Sequence, residues 1–266
     1  MKFYAKTRRS HRWNEDRFIV GKDYAVVIDG ATPLKKANTF NEARWMVDYI
    51  KSRFDGCKGS VKSRLEKLSA DAFRDLPAKI KEEDYLPSAS ACWAEFEGDR
   101  LKIGILGDCE VTCITRDGEV IRFSDGRLDV LDKRAIDEMV AIAKRLNIHV
   151  SEARAHIQDT LIKHRKLANK EGGYNALTLS PTVQINELKF EIGTENLKTV
   201  FLYSDGFAQA FTSLGIYPSH RAMFENLESV DGEVKKIVDA SNADRHYDLH
   251  PRFKKIDDIT VVRIDL

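Results

Sequence analysis

The sequence has little of what marks the commoner chemistries. Its four cysteines, Cys57, Cys92, Cys109 and Cys113, include no CxxC pair. With no histidine close by they read as buried, reduced thiols, which excludes a zinc site or a disulfide frame. His149, His156, His220, His246 and His250 likewise lack metal-ligand spacing to any cysteine. A GxSxG elbow, an HExxH pair and a Walker lysine loop are all missing, which removes the serine-hydrolase, zincin and P-loop readings. No apolar run approaches the roughly 18 residues a membrane helix needs, and the basic segment Met1 to Trp13 has no apolar core. The expectation is a cytoplasmic protein with no membrane partner. Net charge is lacking too: 43 basic against 42 acidic residues leave +1, so nothing declares nucleic acid as a partner. No repeat, low-complexity tract or linker marks a boundary. The 266 residues are read as a single domain, 1–266, with a monomer favoured.

What the chain does have is acids at strand ends. In KDYAVVIDGAT, Lys22 to Thr32, the apolar run Tyr24 to Ile28 is long enough for a buried strand and too short for a helix, and it stops at Asp29-Gly30. Asp-Gly alone is ordinary turn chemistry. The pattern repeats, however, at LKIGILGD (Leu101 to Asp108) and TVFLYSDG (Thr199 to Gly206). Its mirror image, acids leading into a strand, appears at NED (Asn14 to Asp16) before RFIV and at DDITVVRI (Asp257 to Ile264). Strand ends hold side chains in set places, so these acids from distant positions suggest one shared site.

Between them the periodicity alternates. Phe3 to Ala5, Arg17 to Val20 and Tyr24 to Ile28 read as strands, the last two as a hairpin. Thr39 to Phe54, capped by Asn38 or Thr39, and Val61 to Glu83, interrupted near Pro77, carry apolar residues at helical spacing. Ser88 to Phe96, Leu101 to Leu106, Glu110 to Thr115 and Glu119 to Phe123 have the turn-divided look of a β-meander. Leu131 to Leu146 and Ser151 to Ala168 form a charged helical pair, the second capped by Ser151-Glu152. Strands near Tyr174 to Leu179, Leu188 to Ile192 and Thr199 to Tyr203 follow, then helices near Gly206 to Thr212, His220 to Leu227 and Gly232 to Ala243, and a last strand Ile259 to Ile264. The fold class expected is α+β: a four-layer α-β-β-α sandwich, two antiparallel sheets covered by helices.

Glu15, Asp16, Asp29, Asp108, Asp205, Asp257 and Asp258 cannot share a cleft as bare anions, because like charges repel unless some are protonated or cations lie between them. Oxygen donors without thiolate or imidazole favour Mg²⁺ or Mn²⁺. A pair of such ions can lower the pKa of a water and hold phosphate oxygens, which is the chemistry of phosphoester hydrolysis without a protein nucleophile.

NEDRF, VIDGA, LGD, YSDG and DDITVV, in that order, resemble the motif series of the type-2C metal-dependent Ser/Thr protein phosphatases, especially their bacterial members, from about Arg9 to Ile264. The resemblance implies a helix-flanked β-sandwich, two Mg²⁺ or Mn²⁺ ions, a metal-activated water and a phosphoserine or phosphothreonine protein as substrate. It further implies that Asp29 bridges both ions, that the Gly30 carbonyl binds one, and that Asp205 and Asp257 hold the ion beside it with Asp16 close by. Glu15 then orders metal-bound water, Asp108 with Asp205 matches the place of a third, weaker ion, and Asp258 supports the ligands from behind.

Several positions depart from that series. The phosphate-binding Arg of the family falls on His11, between Arg9 and Arg12; a one-residue shift would let Arg12 clamp the phosphate, and a solvated basic loop is the equal alternative. Ala31 replaces the His or Met after Asp-Gly, so water or another group such as His11 must protonate the leaving group. TPLKKAN replaces the following glycines and Cys109 a serine. The helices from Leu131 to Ala168, within an insertion at about 129–172, correspond to the family's variable flap; Lys163, His164, Arg165 and Lys166 could meet an acidic substrate but read more simply as solvated surface, and Trp13, Trp45 and Trp93 as core. These departures keep two alternatives open: a catalytically silent binding or regulatory module, and a hydrolase of small phosphoesters.

Overall fold

The computed structural model describes residues 1–10, 12–34, 40–81 and 86–266. His11 and the cap expected at Asn38 or Thr39 lie outside them. Two antiparallel sheets carry the fold. In the first the strand order is β1 (Lys2–Arg8), β11 (Ile259–Asp265), β10 (Leu197–Tyr203), β6 (Glu110–Thr115), β7 (Val120–Phe123). In the second it is β2 (Asp16–Val20), β3 (Tyr24–Gly30), β4 (Ser88–Glu97), β5 (Arg100–Leu106), β9 (Leu188–Gly193), with the short β8 (Leu177–Thr178) also pairing β4.

The layering follows from the two-residue period of the strands. In β3, Ala25 and Val27 join Cys92, Ile103, Val200, Leu202, Val262 and Ile264 in the core between the sheets, while Val26 and Ile28 turn to the opposite face. That outer face is covered by α1 (Glu42–Arg53) and α2 (Val61–Asp75). Phe201, Tyr203, Ile259 and Val261 point the other way, into α7 (Asp205–Thr212), α8 (His220–Glu225) and α9 (Val230–Ala243). The result is the α-β-β-α sandwich the sequence suggests. Its central strands are apolar on both faces because both faces are covered.

Local chemistry sets the helix ends. Asn41 caps α1, its Oδ1 accepting from the Arg44 amide at 2.8 Å. Leu76, extended ahead of Pro77, ends α2, and α3 (Ala78–Lys81) restarts beyond the proline. The charged segment folds as α4 (Arg127–Leu146), α5 (Val150–Ala153), a 3₁₀ turn and α6 (Gln158–Arg165). Here the expected cap is corrected: His149, not Ser151-Glu152, caps α5, with Glu152 reaching back to the His149 amide at 3.0 Å and Asp248 accepting from the Val150 amide at 2.9 Å.

The β-meander is also corrected. The hairpin β4-β5 lies in one sheet and β6-β7 in the other, because the chain changes sheets at Gly107-Asp108-Cys109. Gly107 has φ +66°, and a Cβ there would lie 2.1 Å from Ser90 Oγ. Only glycine allows so close a crossing, and the crossing leaves Asp108 at the lip between the sheets.

Candidate metal centre

Strand pairing does the first part of assembling the site. Asp16 opens β2 and pairs in register with Asp29 near the end of β3. Gly30 donates its amide to the Glu15 carbonyl at 3.1 Å, and a Cβ on it would lie 2.8 Å from that oxygen, so the NED loop rests directly on the glycine backbone. On the other sheet, β10 runs into α7 through Ser204-Asp205. The Ser204 hydroxyl donates to Asp16 Oδ2 at 2.8 Å and accepts from the Thr260 amide at 3.0 Å, joining β2, β11 and the start of α7. A Cβ on Gly206 would lie 1.9 Å from the Asp258 carbonyl oxygen, and this close approach holds Asp205 beside Asp257.

Asp29, Asp108, Asp205 and Asp257 thereby line one cavity of about 160 Å³. Behind it, three further acids have other partners. Glu15 Oε1 accepts from Asn41 at 2.6 Å, and its Oε2 from the Thr32 hydroxyl. Asp258 Oδ1 accepts from the Ser10 amide and hydroxyl, and its Oδ2 from the Glu15 amide at 2.6 Å, so it anchors the loop that carries Glu15. Asp16 is 1% exposed, and its Oδ1 has no partner among the described residues. Arg12 is exposed and lies over the Trp13 ring at 4.6 Å, away from the cavity wall.

The electrostatics are those of crowded anions. Burial, then the charges of Asp16, Asp205, Asp108 and Asp257, push the Asp29 carboxyl well above its ordinary range. Burial and Asp257 do the same to Asp205. Asp16 is pushed up to about 7 by burial and by Asp258, against a lowering by Ser204. Asp108 rises through burial. Each shift has the sign a cation would reverse.

The residues fit a hard divalent ion. Four carboxylates face one space and the Asp16 Oδ1 atom is buried and unsatisfied, a donor set dominated by hard oxygens, with His164 on the cavity's far wall. Cys109 Sγ comes within 4.8 Å of ligand atoms of Asp29 and Asp108. It is buried and free, with its thiol pushed up by burial and by Cys92, so it remains a neutral wall.

The far wall comes from the charged helices. The reading of His164 and Arg165 as solvated surface is corrected: both line the cavity, with Leu161, Arg154 and Asp132. The Arg165 guanidinium donates to the carbonyls of Ala31 at 3.2 Å and Thr32 at 3.4 Å, tying α6 to the end of β3. Burial pushes Asp132 up to about 7, with Asp108 and Asp129 adding to it. Leu161, His164 and Arg165 follow i, i+3, i+4 spacing with a buried apolar member, a signal in the sequence that α6 presents this face inward. Ser204 and Lys254, which joins the wall from the segment before Asp257, carry no such signal.

No protein-family model and no curated protein matches the sequence. Solved structures do. The catalytic domain of the serine/threonine protein phosphatase PstP, in complex with two manganese ions, matches with a TM-score of 0.55 at 16% identity, over 99% of this chain and 97% of that one. The Mycobacterium tuberculosis serine/threonine phosphatase PstP/Ppp matches at 0.58 and 16%, over 100% and 98%. The PPM Ser-Thr phosphatase MsPP from Mycobacterium smegmatis, in complex with cacodylate, gives 0.55 and 18%, over 100% and 98%. Across its whole length, the chain has the fold of these proteins.

Proposed function

We propose that this chain is a metal-dependent phosphoprotein phosphatase that hydrolyses phosphoserine and phosphothreonine. The observation that carries the reading is the meeting of Asp29, Asp108, Asp205 and Asp257 at one cavity of a sandwich shared with such phosphatases. Asp29, Asp205 and Asp257 would hold one Mg²⁺ or Mn²⁺, Asp29 with the Gly30 carbonyl a second, and Asp108 with Asp205 a third, weaker one. Ions held there supply a water of lowered pKa and neutralise phosphoryl oxygens. The chain's own groups do the rest. Asp16, with one oxygen fixed by Ser204, and Glu15, held by Asn41 and Thr32, order the water shell. Cations of the cavity wall, Arg154 and Arg165, face the phosphate in place of Arg12, which lies over Trp13. Ala31 has no ionisable side chain, so the leaving oxygen takes its proton from water or from another group such as His11. The polypeptide works as one phosphatase-like domain, 1–266, with a flap at about 129–172, as a cytoplasmic monomer in signalling. Among the described residues no helix is long and apolar enough to cross a membrane.

Hydrolysis of p-nitrophenyl phosphate with Mn²⁺ tests the chemistry. We expect activity that EDTA abolishes and that Asp29→Asn or Asp205→Asn lowers by at least about a hundredfold. Activity indifferent to both would sink the proposal. A phosphopeptide panel run beside small phosphoesters then shows which substrate class has the higher kcat/KM.

A further inference from the structure

Lys254 sits where a metal site has no obvious use for it. Its Nζ lies 2.7 Å from Asp257 Oδ1, both side chains are mostly buried (30% and 17% exposed), and both line the acid cavity. Nor is the lysine a loose surface chain. Two residues earlier, Arg252 is 3% exposed and donates to Asp244 Oδ2 at 2.8 Å and to the carbonyls of Ser241, Asp244, His250 and Lys255, which fixes the backbone on either side of Phe253 and Lys254. Asp257 Oδ1 also accepts from the Asp258 amide at 2.9 Å, so one of the two oxygens that Asp257 can offer a divalent ion is already bonded twice.

We propose that Lys254 is a tethered counter-ion of the acid cluster, competing with the divalent cation for Asp257. The inference rests on the metal-centre reading. With the ammonium seated, a single positive charge relieves part of the repulsion among Asp29, Asp205 and Asp257, and the empty cluster stays folded. An ion that takes Asp257 Oδ1 displaces the ammonium, and one that takes the other oxygen meets its positive charge close by. Breaking a charge-assisted hydrogen bond of this kind corresponds to roughly ten- to a hundredfold in a binding constant. Lys254 therefore sets the cation concentration at which the site fills, and it weakens loading without being a ligand.

Direct Mn²⁺ binding, followed by the electron-paramagnetic-resonance signal of the free ion and by calorimetry, tests this on the full chain. Lys254→Met removes the charge, Lys254→Arg keeps it, and Lys144→Met removes an exposed charge at the end of α4. Lys254→Met is expected to bind Mn²⁺ at least about tenfold more tightly than the unaltered chain, with the other two within a factor of about two. Thermal melting gives a second reading that needs no activity: in EDTA, Lys254→Met melts lower than the unaltered chain, and saturating Mn²⁺ raises its melting temperature by more. Lys254→Gln serves for both if the methionine does not fold. Unchanged or weaker Mn²⁺ binding in Lys254→Met and Lys254→Gln overturns the competition while leaving the metal centre standing. Absence of Mn²⁺ binding in every form overturns both.

Discussion

Asp16→Asn, compared with the unaltered chain in EDTA from about pH 5 to pH 8, isolates the cost of holding carboxylates together without an ion. Asp16 is 1% exposed, and burial with the Asp258 charge moves its carboxyl from 3.8 to about 7, against a lowering by the Ser204 hydrogen bond. Between those values the folded chain holds a proton that the unfolded chain has released, so the folded state loses stability as pH rises. Going from 3.8 to about 7 at about 1.4 kcal/mol per pH unit amounts to about 4 kcal/mol above pH 7, and to nothing well below the lower value. Asparagine carries no charge at any of these pH values. The stability of Asp16→Asn minus that of the unaltered chain should therefore climb by about 1.4 kcal/mol per unit up to pH 7 and then level off. Taking the difference removes His220, whose ring burial lowers from 6.5 to about 4 and which contributes the opposite slope below its ordinary value. Lys254, raised above the lysine range, is charged in both states here and adds no slope. Urea denaturation at each pH provides the numbers. A difference that is flat, or that falls with pH, would refute the reasoning. Saturating Mn²⁺ should reverse the order at pH 8, since ion binding requires the acids deprotonated.

Other variants probe the supports. Gly206→Ala puts a methyl 1.9 Å from the Asp258 carbonyl oxygen and must separate Asp205 from Asp257; calorimetry should show Mn²⁺ affinity down at least about tenfold, with far-UV circular dichroism unchanged. Arg165→Ala loses the bonds to the Ala31 and Thr32 carbonyls; we expect KM for phosphopeptides to rise about tenfold and amide exchange in α6 to quicken, and no change in either would contradict the tether. Arg252→Met takes the ion-pair partner at 2.8 Å from buried Asp244, leaving it only the Leu249 and His250 amides, and should cost about 3–5 kcal/mol in denaturant. Ile105→Ala, fully buried between the sheets, should cost about 2–5 kcal/mol without altering which ions bind.

Much of this was legible because strands and helices write their period into the chain. Val26 and Ile28 against Ala25 and Val27 already describe a strand covered on both faces, and acids placed just past such strands must meet at the same lip. What periodicity does not encode is which strand pairs with which. β5 and β6 adjoin in sequence, each has an apolar face and a more polar one, and an ordinary Gly-Asp turn divides them, so nothing local separates a hairpin from a change of sheet; Gly107, pressed against Ser90, decides it. The cavity's far wall was hidden for a related reason. His164 and Arg165 sit in a run of charges that looks solvated until the packing of α4, α5 and α6 turns Leu161 and Ile157 inward and takes these two with them. Arg12 shows the reverse: a guanidinium suited to phosphate is drawn to Trp13 instead, and Arg44 lies over the same ring, also at 4.6 Å. Lys254 had no motif to betray it, since its place depends on the fixed turn around Arg252.

The most direct test is anomalous scattering from a crystal of this chain soaked in Mn²⁺. A strong peak should lie about 2.0–2.3 Å from carboxylate oxygens of Asp29, Asp205 and Asp257, with Lys254 withdrawn from Asp257. Peaks only elsewhere on the surface, with the acid cavity empty at saturating Mn²⁺, would contradict the account.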